Sequence, residues 1–306
     1  MKSSAAKQVF WLILGMTALR LLVAATLELG IDEAYYWTYA QKLCWNYFDH
    51  PPMVAVFARI STINLIFQGE TALRLSSIAC AATNTWLIFR IGKRLFDERT
   101  GLFSAIFYSS SLYFSIIAGT FLLPDGANSL FWMLGLGLAV EFFDEKLPAK
   151  SRGAALILFG IVAGFCIMSK VHGVFLWVGA AIFVLIFQRC WLKKPAFYLS
   201  ILLTVAIASP ILFWNMENGW ANLNFHAGRV SFFGEKLDFS SFFTELAGQV
   251  LYQNPVNFVA IVLAFFHLKK IGAAAKIDRA VAILLTFSLP IIGIFLFFSL
   301  FRKTLP

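Results

Sequence analysis

Residues 9–28 read Val9-Phe-Trp-Leu-Ile-Leu-Gly-Met-Thr-Ala-Leu-Arg-Leu-Leu-Val-Ala-Ala-Thr-Leu-Glu28, and Gly30-Ile-Asp-Glu-Ala-Tyr-Tyr-Trp37 and Tyr47-Phe-Asp-His-Pro-Pro52 follow closely. About 20 predominantly apolar residues match the hydrocarbon thickness of a bilayer. With Lys2 and Lys7 ahead of it, this run is too long for a signal-peptide core and reads as an uncleaved signal anchor. Behind it stand three carboxylates, Asp32, Glu33 and Asp49, and His50. Charge beside a bilayer is expensive, so a dense acidic and aromatic cluster there needs a reason. Acid/base chemistry at the lipid–water boundary supplies one. A solvated loop with Tyr and Trp anchors is the plainer alternative.

The rest of the chain agrees with a membrane. Of 306 residues, 60% are hydrophobic and only 13% charged, with a mean hydropathy of +0.78. Soluble domains carry roughly a quarter charged residues. The net charge of +9 is dispersed between apolar runs rather than gathered in one patch, which argues against nucleic acid as a partner. Cys44, Cys80, Cys166 and Cys190 show neither disulfide nor zinc spacing. Predicted spans lie near 9–28, 71–91, 101–120, 126–143, 153–169, 173–189, 195–214, 248–268 and 279–301. The expected fold is an all-α polytopic membrane protein of about nine transmembrane helices. Residues 53–68 are apolar but short and contain Arg59, so an interfacial helix is expected there.

With the N-terminus inside, sixteen of the 25 basic residues fall on inner connections against six of the 16 acidic ones. This is the positive-inside pattern. It places 29–70, 121–125, 170–172, 215–247 and 302–306 on the outer face, where nearly every polar group of interest collects. No internal repeat divides the chain, and 1–306 reads as one membrane-embedded domain.

Asp32 and Glu33 are neighbours on a predicted short helix, pointing about 100° apart, so only one of them faces a given cleft. Pro51-Pro52 stiffens the backbone behind Asp49-His50. Leu123-Pro-Asp-Gly126 sets Asp125 at the outer start of a span, where it either caps the helix or binds a sugar hydroxyl or a metal. Ser169-Lys-Val-His-Gly173 puts Lys170 and His172 on the side where lysine is disfavoured, suited to a phosphate, although a polar turn alone would use such residues. Trp214, Asn215 and Trp220 open the longest outer loop as sugar-stacking or belt residues, and His226 with Arg229 adds a cationic spot. Carboxylates for base work beside separate cations suit sugar transfer from a lipid phosphate: the acceptor hydroxyl loses a proton while the leaving phosphate is stabilised. No P-loop, GxGxxG or DxD pair is present to bind a nucleotide.

Asp32-Glu33, Tyr47-Phe-Asp-His-Pro-Pro52, Pro124-Asp125, Ser169-Lys-Val-His-Gly173 and Phe213-Trp-Asn215 through Arg229, in this order, resemble the GT-C membrane glycosyltransferases. The similarity is to the dolichyl-phosphate-mannose protein mannosyltransferase-like group that includes the aminoarabinose transferases. It implies two interfacial helices in the first outer loop and a cavity open to the outer leaflet. It also implies an inverting reaction from a polyprenyl-phosphate sugar to a lipid, glycan or protein acceptor of the cell envelope. Asp32 would be the base, with Glu33 or Asp125 as a supporting carboxylate. His50, Lys170, His226 and Arg229 would hold the donor phosphate, Asp49 and His172 would belong to the substrate-binding set, and Trp214, Asn215 and Trp220 would shape the sugar or lipid site. No cofactor is expected, with a divalent cation as the open option. The aminoarabinose transferases carry Lys before the paired prolines, where this chain has His50. Relatives commonly run longer, so the chain is expected to lack their C-terminal part. The competing readings are a transporter or lipid flippase, which would carry ionisable residues near the midplane, and a non-catalytic scaffold.

Overall fold

The computed structural model describes residues 4–230, 237–272 and 278–301, and of 229–230 and 268–272 the backbone only. Fourteen α-helices are found among them and no strand. The first span, α1 (Ala5–Thr26), starts on Ser4, whose hydroxyl accepts from the Lys7 amide. Two short helices follow, α2 (Ile31–Gln41) and α3 (Met53–Ser61). Glu33 reaches back to the Gly30 amide and closes the start of α2, and Asp32 and Glu33 both complement its dipole. The interfacial helix expected over 53–68 stops at Ser61, because Ile63, Asn64 and Leu65 all take positive φ and turn the chain. Arg59 does not reach for lipid headgroups. It donates to the carbonyls of Ala40 and Gln41 and so closes the end of α2.

The bundle continues through α4 (Glu70–Leu95), α5 (Glu98–Ser110), a π-helical turn (Tyr113–Ile117), the three-residue α6 (Ala118–Thr120), α7 (Pro124–Phe143), α8 (Ala149–Ser169) and α9 (Val174–Phe187). It ends with α10 (Pro195–Glu217), α11 (Ala221–Val230), α12 (Phe239–Gln253), α13 (Pro255–Gly272) and α14 (Arg279–Ser299). Seven of the nine predicted spans fall on single helices to within a few residues, while 101–120 and 248–268 each run across a break between two helices, bent by 76° and 110°. Five described helices are long and apolar enough to cross a bilayer (α1, α7, α8, α10 and α14), or seven if each of two bent pairs makes one span. The difference from nine has two sources. α4 carries buried Ser76, Ser77, Asn84 and Thr85, which lower its apolarity. α9 has only 14 residues.

The α5 pair bends by 76° at the π turn. Buried Arg20 of α1 donates from Nε to the Ser115 carbonyl at 3.0 Å, and the Thr120 hydroxyl donates to the same oxygen. A backbone group freed from helix geometry inside a membrane protein needs such partners.

Helices gain little by hiding apolar surface from one another in lipid, so close packing between small residues matters more. Gly160 and Gly164 of α8, four apart, face α10. A Cβ on Gly160 would lie 2.2 Å from the Ser200 carbonyl oxygen, and one on Gly164 would lie 2.8 Å from Ile207. The Thr204 hydroxyl seals the contact by donating to the Gly160 carbonyl at 2.6 Å. Gly160→Val is expected to destabilise the protein by at least about 1–3 kcal/mol through overpacking. A thermal melt in detergent checks this, and an unchanged midpoint would refute the packing account. Beside this seam, α7, α8, α9 and α14 share an aromatic core of Phe142, Phe143, Phe159, Phe183 and Phe287.

Candidate active site

Five hydrogen bonds from one side chain fix the loop between α1 and α4. Arg74, fully buried, donates from Nε and a terminal nitrogen to the two oxygens of Glu33 at 2.8 and 2.6 Å. Its remaining donors reach the carbonyls of Ala24, Leu27 and Glu28, where α1 ends. The five N–H groups of the guanidinium are thus all used, and the group also lies 5.4 Å from the Phe121 ring centroid. Glu33 accepts in addition from the amides of Gly30 and Leu122. Burial alone would raise its carboxyl, but Arg74 and the two amides outweigh that and hold it below the ordinary carboxylate range. Glu33 is 3% exposed, with no oxygen left over for substrate. Its expected role as a supporting catalytic carboxylate is corrected to that of a scaffold: it ties α1, α2, α4 and the 121–123 turn together.

Asp32, next door on α2, is exposed. It lines a cleft of about 600 Å³ with Glu28, Glu33, Leu27, Gly30, Ile31, Ile117, Phe121 and Leu123. The expectation that only one of the two acids faces the cleft is thus corrected: both border it, and they differ in that Glu33 is held by Arg74 while Asp32 is exposed.

Behind Asp32 lies a tyrosine cluster. The Tyr39 hydroxyl donates to Asp49 at 2.5 Å and sits 2.6 Å from the Tyr35 hydroxyl. The Tyr39 ring stacks on Tyr47 at 3.7 Å. Burial pushes the Tyr36 phenol upward, and the charges of Asp49, Asp32 and Asp125 push it further.

Asp125 occupies the first turn of α7 after Pro124, but it makes no capping bond. Its carboxylate instead accepts from Lys170 at 2.9 and 3.1 Å and from the Tyr113 hydroxyl. Lys170 caps the end of α8, and the tight turn after it depends on Gly173. A Cβ there would lie 2.4 Å from the Cys166 carbonyl carbon. His50 sits 5.7 Å from Tyr36 and 6.4 Å from His226, ring to ring. His226 Nε2 lies 2.9 Å from the Asp49 carbonyl oxygen. His172, 5.0 Å from Phe295, feels the charges of Lys170, Asp125, His226 and His50. Asp125 and Lys170, 45 residues apart, and His226 and the Asp49 backbone, 177 apart, thus meet at one end of the bundle.

Burial, helped by the Lys170 charge and opposed by Asp49 and Asp125, lowers the His50 pKa to about 4. The imidazole is neutral at pH 7, and its Nδ1 meets no protein partner. Below about pH 6.5 the unfolded chain binds a proton here that the folded chain refuses until about pH 4. Stability is therefore expected to fall as pH drops from 6.5 to 4, and more gently in His50→Gln. Melting curves across that range in detergent check the difference, and identical slopes would remove His50 as the cause.

Other expected site residues lie differently. Asn215 is fully buried; it donates to the Ile211 carbonyl and accepts from the Leu223 amide, so it builds the α10–α11 corner rather than touching a sugar. Trp220, at φ +61°, is 44% exposed and can stack on a ligand; Trp214 is half-buried beside it. The Arg229 side chain lies outside the described residues. Among the described residues no three His, Cys, Asp or Glu side chains gather as metal ligands. The sequence reading missed Arg74, Tyr113 and the Tyr35–Tyr39 pair. Arg74 carried the signal used for Lys170, a cation at the outer end of a span. Tyr113 carried none, since nothing in the sequence announces the π turn that aims it.

Comparison with known proteins decides the family. The sequence family described as dolichyl-phosphate-mannose-protein mannosyltransferase matches residues 49–214, more than half of the chain. The chain belongs to this family. Asp49, His50, Asp125, Lys170 and Trp214 all lie inside the matched region. Lipid A galacturonosyltransferase RgtD of Rhizobium johnstonii is 24% identical over 221 residues, 68% of this chain and 43% of that protein. The crystal structure of ArnT from Cupriavidus metallidurans bound to undecaprenyl phosphate superposes with a TM-score of 0.73 at 16% identity, covering 100% of this chain and 57% of the other. The apo state of the same ArnT gives 0.72 at 18% identity, covering 99% and 57%. These likenesses establish a shared polytopic membrane fold. The chain spans about half the length of these relatives.

Proposed function

We propose that this mannosyltransferase-family chain carries the membrane-embedded site of an inverting glycosyltransferase. The sugar moves from a polyprenyl-phosphate donor to an acceptor at the outer face of the membrane. One observation carries the reading: an open carboxylate, Asp32, lines a large cleft whose wall reaches Leu123, the residue before the first turn of α7, and Asp125 in that turn pairs half-buried with Lys170. In this reading Asp32 accepts the proton of the attacking acceptor hydroxyl. Lys170, held in place by Asp125, stabilises the charge that grows on the departing phosphate. His50, neutral and with Nδ1 unmatched, supplies a hydrogen bond to a phosphate oxygen, and His226, against the Asp49 backbone, stands on the donor side. Trp214 and Trp220 border the sugar or lipid.

The apolar walls of the cleft, Leu27, Ile31, Ile117 and Phe121, favour a lipid-borne acceptor over a soluble one. The protein is placed in the inner membrane with its N-terminus cytoplasmic and the site periplasmic or extracellular, as the charge asymmetry of its loops supports. The test is transfer in vesicles from a synthetic polyprenyl-phosphate sugar, alongside mass spectrometry of copurifying lipids. Lys170→Ala should lower turnover on the order of 10²–10³-fold, the usual cost of removing one group that stabilises developing charge. Uptake of the donor without any glycosyl product, or full activity in Lys170→Ala, would overturn the proposal.

A further inference from the structure

α8 runs 21 residues from Ala149 to Ser169, about 30 Å. Lys170 and the proposed active site lie at its end, and a second cavity lies at its start. This cavity, of about 210 Å³, is lined by Ala149, Arg152 and Gly153 from α8 and by Cys190, Trp191 and Lys194 before α10. It opens on the opposite end of the bundle, where the proposed chemistry has no use for it.

The charges there are unbalanced. Some cations at this end are matched, Arg94 with Glu141 and Asp144 and Arg279 with Glu145, while others such as Lys146, Lys150, Arg189 and Lys193 form no ion pair among the described residues but do not line the cavity. Among the described residues, neither Arg152 nor Lys194 has a carboxylate partner. Arg152 donates only to neutral oxygens, the Phe142 carbonyl and Gln188 Oε1. Its guanidinium lies 5.2 Å from the Trp191 ring, which fixes its direction without cancelling its charge. The first turns of α8 and α10 both border the cavity, and neither has a side-chain cap, so two positive dipole ends add to the two cations. The remaining wall is the apolar face of Ala149, Trp191, Pro195 and Ala196.

A guanidinium, an ammonium and two helix starts around a small cavity with an aromatic wall at the membrane boundary match a phosphate joined to something apolar. We propose that this cavity binds the phosphate group of an anionic phospholipid in the leaflet opposite the active site. Such a ligand would clamp the loop between α9 and α10 to the start of α8. The site does not depend on the transferase reading, only on the chain lying in a bilayer.

Cys190, exposed on the cavity wall, makes the test direct. In a Cys44→Ser background, the labelling rate of Cys190 by a maleimide is measured in nanodiscs of neutral phosphatidylcholine, with or without phosphatidylglycerol, and separately with inorganic phosphate. Phosphatidylglycerol is expected to slow labelling at least fivefold, and Lys194→Glu to abolish the protection. Gly153→Leu, where a side chain meets no protein atom within 4 Å, should fill the cavity and also abolish it while keeping both cations and the fold. Protection by phosphatidylglycerol alone assigns the lipid. Equal protection by millimolar inorganic phosphate keeps the phosphate site but assigns a soluble anion. Protection by neither, or undiminished protection in both variants, would overturn the proposal, and none of these outcomes touches sugar transfer.

Discussion

Arg74→Met is expected to cost the folded protein about 3–5 kcal/mol, the usual penalty for removing one partner of a buried ion pair. The loss should be near the top of that range. The methionine leaves Glu33, 4% exposed at its side chain, as an uncompensated buried charge. It also strands the carbonyls of Ala24, Leu27 and Glu28 at the end of α1. Arg74→Lys should recover little, because an ammonium offers three donors from one point and cannot span five acceptors. The measurement is the melting midpoint of purified protein in detergent, followed by tryptophan fluorescence and size-exclusion monodispersity. A melt within a degree or two of wild type in Arg74→Met would show that this hub does not hold the loop between α1 and α4.

One position away, the same kind of chemical change should do the opposite. Asp32→Asn is expected to lower sugar transfer by about 10²–10⁴-fold, the range typical of a lost general base, while leaving the melt unchanged. Asp32 is exposed and pairs with no cation among the described residues. Glu33→Gln should instead lower the melt, since it takes the charge from the Arg74 pair. Two adjacent acids would then separate into one activity defect and one stability defect. Near-normal turnover in Asp32→Asn would remove that residue from the mechanism. A cold-sensitive or aggregated Asp32→Asn would instead assign it to the scaffold with Glu33.

The contrast shows what was legible in the residues. Helical geometry over two positions sets Asp32 and Glu33 apart, yet both border the same cleft. Which of them is left uncommitted depends on Arg74, 41 residues later. Similarly, the motif around Pro124-Asp125 allowed either a helix cap or a ligand-binding carboxylate. The choice went to neither in simple form, because Lys170 arrives from the end of α8 and claims the carboxylate. Asn215 looked like a sugar ligand from its neighbours Trp214 and Trp220. Its burial at the α10–α11 corner, invisible in the motif, makes it a hinge-fixing residue instead.

Sequence by itself determined the solvent of this protein, its helical class and the end of the bundle at which polar chemistry collects. These follow from local quantities, namely apolar run length against bilayer thickness and the sign of charge between runs, which no tertiary contact can reverse. Tertiary structure alone decided which charges are spent on one another. Glu33 with Arg74 and Asp125 with Lys170 are pairings over 41 and 45 residues, set by how the helices pack, and a charge is available for chemistry only once that packing has left it unmatched.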